Sequence, residues 1–185
     1  MTLLALGLTL FVGAHLLVSL PGVRPAFVGG LGEGGFKGLV SLLSLAGLVL
    51  VFMGWGSAPT TAVHAPPSWT RHLAWTLVPL AFVMLVTAYV PSRIGWFLGH
   101  PMSLSVVVWA TAHVAANHEL RSVVLFGALG GWGLVGWLLA ARRQGFRPKR
   151  YPVRPRDPLA VGVGLALAAA MLAAHGWLFG VPAMP

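Results

Sequence analysis

Six apolar runs, each close to the length that crosses a bilayer, constrain what this chain can fold into more than any other feature. About 20 apolar residues span the hydrocarbon core as a helix. The runs cover about Thr2–Leu20, Lys37–Trp55, His72–Tyr89, Pro101–Asn117, Val123–Ala141 and Leu159–Phe179. Pro21-Gly22 closes the first, Val90-Pro91-Ser92-Arg93 follows the third, and the fourth is the shortest and most polar. In lipid every backbone polar group needs an internal partner, so runs of this length become helices. The expected fold is all-α: a polytopic membrane bundle of six transmembrane helices, one domain over residues 1–185. The opening run lacks a basic n-region and a small-residue cleavage site, so it is read as a retained helix and not as a secretory signal.

Charged residues make up 8% of the chain and apolar residues 57%, whereas a soluble domain carries about 25% charge. That balance excludes a disordered chain, and it excludes a nucleic-acid-binding domain despite 12 Lys and Arg against 3 Asp and Glu. Cysteine is absent, which removes disulfides, thiolate zinc sites, iron–sulfur clusters, C-x-x-C-H haem attachment and catalytic thiols. Chemistry must come from His, Trp, Ser, Thr, Asn or the backbone.

Orientation follows from where the cations fall in short loops. The first, third and fifth loops hold Arg24, Lys37, Arg93, Arg142, Arg143, Arg147, Lys149, Arg150, Arg154 and Arg156, while the second and fourth hold only Arg71 and Arg121. The bias puts the fifth loop in the cytoplasm and both termini on the other side. A basic run beside a membrane span is an orientation signal or a contact for lipid headgroups. Ser57–Thr70, with Pro59, Pro66 and Pro67, reads as an irregular loop.

Seven histidines occur, and an ionisable side chain inside a span is a functional candidate by default. His15 and His113 lie inside spans, His175 near the end of the last, His72 and His100 at span mouths, and His64 and His118 in loops. His100 and His113 are thirteen residues apart, about 20 Å on a continuous helix, so they do not share one iron. Depth counted from the span ends pairs His15 with His100, and His72 with His113. Trp109, His113 and Asn117 form an i, i+4, i+8 stripe, in which Asn117 is placed to orient the imidazole. The competing reading is a polar cluster that only packs helices.

In the fifth run Gly127, Gly130, Gly133 and Gly136 recur at every third position. Such a ridge means close helix approach, or a wall against a planar cofactor or polyene. Gly38, Ser41, Ser44 and Gly47 line another small face in the second run. Trp55, Trp69, Trp75, Trp96 and Trp177 sit near span ends as an aromatic belt. Glu33 precedes Lys37 by four residues, the spacing of an ion pair. No Ser, His and Asp share a depth, which excludes hydrolase chemistry.

Three stretches together resemble the NnrU family of membrane proteins. They are Phe11-Val12-Gly13-Ala14-His15; the string Leu31-Gly32-Glu33-Gly34-Gly35-Phe36-Lys37-Gly38-Leu39 running into Ser41–Gly47; and His100-Pro101-Met102 with Trp109, His113 and Asn117. The resemblance implies a link to denitrification and nitric oxide metabolism, in the bacterial inner membrane with both termini periplasmic. The family is also similar to a membrane 15-cis-zeta-carotene isomerase whose haem b iron is held by two histidines, and these match His15 and His100. The expected function is therefore a haem b membrane protein with His15 and His100 as metal ligands and His113, Trp109 and Asn117 around the cofactor. The alternatives are a carotenoid cis-trans isomerase using the same haem, and a haem-free scaffold or assembly factor. Expected partners are membrane lipids and either a lipid-soluble polyene or nitric oxide. Gly99 stands where the isomerase and some membrane methyltransferases have Arg before His-Pro, a departure from both, and methyl transfer also needs acidic residues near the C-terminal end, where only Asp157 follows Glu119.

Overall fold

The computed structural model describes all residues except 21, 147–153, 182, 184 and 185. Among the described residues seven helices form: α1 (Thr2–Ser19), α2 (Val23–Ser57), α3 (Trp69–Thr87), α4 (Arg93–Leu98), α5 (Pro101–Ala116), α6 (Leu120–Gln144) and α7 (Asp157–Phe179). All but α4 and α5 are long and apolar enough to cross a membrane. The 16 residues of α5 rise about 24 Å, somewhat short of the ~30 Å core.

Two elements depart from the sequence expectation. α2 starts at Val23 and not near Lys37, because the glycine-rich first loop is helical on both sides of Gly32. Gly32 alone leaves helical geometry, with φ 70 and ψ 167, a conformation that glycine adopts without steric penalty. The part after it, Glu33–Ser57, rises about 37 Å and spans by itself. The third loop folds its end into α4: Ser92 Oγ accepts from Gly95 N at 3.0 Å, an N-cap, and Gly99 at φ 74 stops the helix. Arg147, Lys149 and Arg150 of the basic loop lie outside the described residues.

In space the long helices follow the order α2, α1, α6, α5, α3, α7, each packed chiefly on its neighbours in that row. Lipid is as apolar as leucine, so helices associate through close backbone approach at small residues. On α2, Gly47 faces the backbone of Phe11 and Gly54 that of Leu4. A Cβ at Gly47 would sit 2.6 Å from Phe11 N. On the far edge, a Cβ at Gly164 of α7 would sit 2.5 Å from Val83 Cα of α3.

Both ends of the bundle are tied by loops. Val63 N donates to His118 O and Leu120 N to Thr61 O, each at 2.8 Å. Arg121 lies 4.5 Å over the Trp55 ring, donates to Trp55 O at 3.1 Å and pairs with Glu119. It thereby caps the last turn of α2 from α6, across α1. At the opposite, basic end His100 Nε2 donates to Gly145 O at 2.9 Å. Arg156 N donates to Pro91 O at 2.9 Å, and Ile94 N to Asp157 Oδ1 at 3.0 Å.

Candidate functional site

The intramembrane histidines sit on the two helices that flank α6. His15 of α1 is half-buried, and its Nδ1 lies 2.7 Å from Phe11 O. A carbonyl only accepts, so Nδ1 is the donor in this bond, and Nε2 is not engaged by it. Phe11 lies 4.4 Å from the ring, and Trp132 of α6 meets it edge-on at 5.0 Å. Among the described residues the indole Nε1 of Trp132, like that of Trp137, is buried without a hydrogen-bond partner. A free ligand nitrogen and an unpaired donor therefore belong to one aromatic cluster inside the bundle, and they do not bond each other. Phe11 and His15 meet because they are one helical turn apart. Ser19 bonds the backbone carbonyl of His15 at 3.0 Å and leaves the ring alone.

His113 of α5 repeats the device. Its Nδ1 donates to Trp109 O at 2.8 Å, and its ring packs 4.7 Å from Trp109 and 4.5 Å from Phe126 of α6. The stripe expected from spacing is thus real for Trp109 and His113. Asn117 differs: its Nδ2 donates to the main-chain carbonyl of His113 at 2.8 Å. The same carbonyl also accepts from Asn117 N at 3.0 Å, so the backbone and side chain of this C-cap residue both close on one oxygen and leave the imidazole alone.

The two rings expected to share an iron are not brought together. His15 packs on Trp132 while His100 bonds Gly145, thirteen residues further along α6, or about 20 Å. Axial nitrogens sit about 2 Å from a metal, so this pair does not fit a bis-imidazole haem. Counting depth from span ends fails because α1 stops at Ser19, four residues after His15, whereas α6 runs to Gln144, twelve beyond Trp132. His72 is exposed and meets Trp75 of its own helix edge-on at 5.2 Å. His175 Nδ1 donates to Val181 O at 2.6 Å. Among the described residues no three His, Asp or Glu converge to hold a metal ion.

The glycine ridge of α6 serves packing. Gly130 abuts Ala110, Gly133 abuts Ser103 and Val107, and Gly136 abuts Ser103, all of α5. Only Gly127 and Gly131 face open space. Two cavities lie at the basic end. One, of about 460 Å³, is bounded by the end of α3, by α4 and by the start of α5, and includes His100. The other, about 320 Å³, lies where α1 meets α2, near Arg24, Glu33 and Lys37. Glu33 there pairs with Lys37 at 3.3 Å, as its spacing predicts, and with Arg24 at 2.7 Å across the kink.

Phe11 entered from the sequence only as part of a family-like stretch, with no role beside His15, and Trp132 was not singled out. An aromatic one turn before a membrane histidine, as in Phe11/His15 and Trp109/His113, is the signal that identifies the first. Trp132 reaches His15 only through tertiary packing.

The NnrU protein family model matches residues 3–183. No curated protein and no solved structure matches the chain.

Proposed function

The chain belongs to the NnrU family, and from that premise we propose that it works in the bacterial inner membrane as a haem b protein tied to nitric oxide metabolism, with His15 as the residue that would hold the iron. The observation that carries this reading is the His15 cluster: an imidazole held through Nδ1 on Phe11 O, so that Nε2 is not engaged by that bond, beside the orphaned indole N–H of Trp132. Haem b would supply an iron able to bind a diatomic ligand or pass an electron. The chain's own residues do the rest. Phe11 O fixes the ring and its tautomer, as partners beyond the ligands do in metal sites, and Trp132 offers a donor that no protein group uses. The distribution of Lys and Arg supports periplasmic termini.

His100 has no part in this reading, since it lies at another level of α6. The polyene reading loses the wall that the ridge offered, because Gly130, Gly133 and Gly136 are taken up by α5. Purified in detergent with haem supplied, the protein is expected to show a Soret band that His15→Ala abolishes and His100→Ala keeps. A wild type without the band, or a band retained in His15→Ala, overturns the proposal. A haem-free protein that co-purifies with a partner supports an assembly role in its place.

A further inference from the structure

The cavity of about 460 Å³ has no part in the site just described, and its surroundings have a consistent chemistry. Ala88, Pro91, Trp96 and Met102 give it apolar walls, with His100 and Ser103 adding polar ones. Its volume falls in the range of small-molecule sites. Arg93 directly follows the lining residue Ser92. Arg156 is held by its own N–H on Pro91 O, with Arg154 two residues before it. Arg142 and Arg143 precede Gly145, whose carbonyl accepts from His100. All five arginines are exposed, and among the described residues none is paired with a carboxylate. Asp157, the acid in these segments, is engaged by Ile94 N.

The five arginines stand on segments that adjoin the half-apolar cavity without lining it; unpaired with carboxylates, they make its surroundings positive and favour an anion there, and the planar fork of arginine suits phosphate oxygens. The cavity lies where α3 ends and α5 begins, the level at which headgroups meet a bilayer's core. His100 spends Nε2–H on Gly145 O, and its Nδ1 makes no hydrogen bond among the described residues, which leaves an acceptor for a ligand hydroxyl. We propose that this cavity binds a phosphate ester with a hydroxylated headgroup, of the kind carried by phosphatidylglycerol, with arginines on the phosphate and His100 Nδ1 on the headgroup hydroxyl.

The test compares thermal melting and native mass spectra of the purified chain in detergent supplemented with phosphatidylglycerol, with phosphatidylcholine or with glycerol 3-phosphate. Phosphatidylglycerol is expected to stay bound and to raise the melting temperature where phosphatidylcholine does not. Ala88→Trp, which fills the cavity, should remove that difference. Arg93→Gln should raise the half-saturating concentration about tenfold, the loss of one charge-assisted contact. An equal response to glycerol 3-phosphate supports the phosphate site with a soluble ester as its source. Equal responses to the two lipids overturn the proposal. So does a phosphatidylglycerol preference unchanged in both variants, which reports only surface charge; should Ala88→Trp not fold, Arg93→Gln decides alone.

Discussion

His15 has its Nδ1 held by a main-chain carbonyl one turn back, and so does His113. The device uses no extra side chain, which explains why the polar neighbours visible in the sequence, Ser19 and Asn117, bond backbone oxygens and leave the rings alone. The histidines themselves were legible because an imidazole inside an apolar run is conspicuous. The partner of His15 on α6 was not, because periodicity reports neighbours along one helix and says nothing of what the next helix brings. Trp132 gives this scale its prediction. Trp132→Phe keeps an aromatic against His15 and removes a buried donor that lacks a partner. Leaving such a group unsatisfied costs about 1–3 kcal/mol, so in the haem-free protein the loss of packing volume is offset and the melting temperature should hold or rise. Haem affinity, read by Soret titration, should fall in the same variant. Unchanged affinity removes the indole from the site.

At the scale of elements, helix contacts rest on positions where two backbones touch. Gly47→Val would drive a side chain into Phe11 N and should destabilise the α1–α2 pair by about 1–3 kcal/mol, as overpacking does. Gly162 of α7 has nothing within 4 Å of an added Cβ, so Gly162→Ala should stabilise by up to about 1 kcal/mol through helix propensity. Melting followed by far-ultraviolet circular dichroism checks both, and similar shifts for the two would show that the contact at Gly47 is looser than described. Apolar counting found both ends of α1, α3, α6 and α7, and the end of α2, to within a few residues. It missed the start of α2, because a segment holding Gly29, Gly30 and Gly32 reads as loop although it forms helical turns up to a single kink. It missed α4 because six residues carry too little periodicity, even with Ser92 marking the N-cap.

For the whole molecule, the class was legible because length and hydropathy alone force helices in lipid. The order of helices in space was not, since small residues mark where contact is possible without naming the partner. Arg121 tests the arrangement, because it joins α6 to the end of α2. Arg121→Ala should lower stability by about 1–3 kcal/mol, through the lost charge-assisted bond to Trp55 O and the lost cation–π contact. Arg121→Lys should recover only part of that. An alanine variant that melts like wild type would detach this clamp from the fold's stability. Orientation is checked by alkaline phosphatase fusions, expected to be active after residue 180 and inactive after residue 146; the reverse pattern would invert the topology.

α6 stands in the middle of the row yet is written late in the chain. When Leu120 leaves the ribosome, α1 with α2 and α3 with α5 have already been made as separate hairpins, and the packing that links them runs through the helix still to come. Insertion of α6 is therefore a joining event between two prefabricated halves, and only then does the imidazole face of α1 acquire its protein lining. A chain stalled before Leu120 would therefore present His15 to acyl tails and not to Trp132.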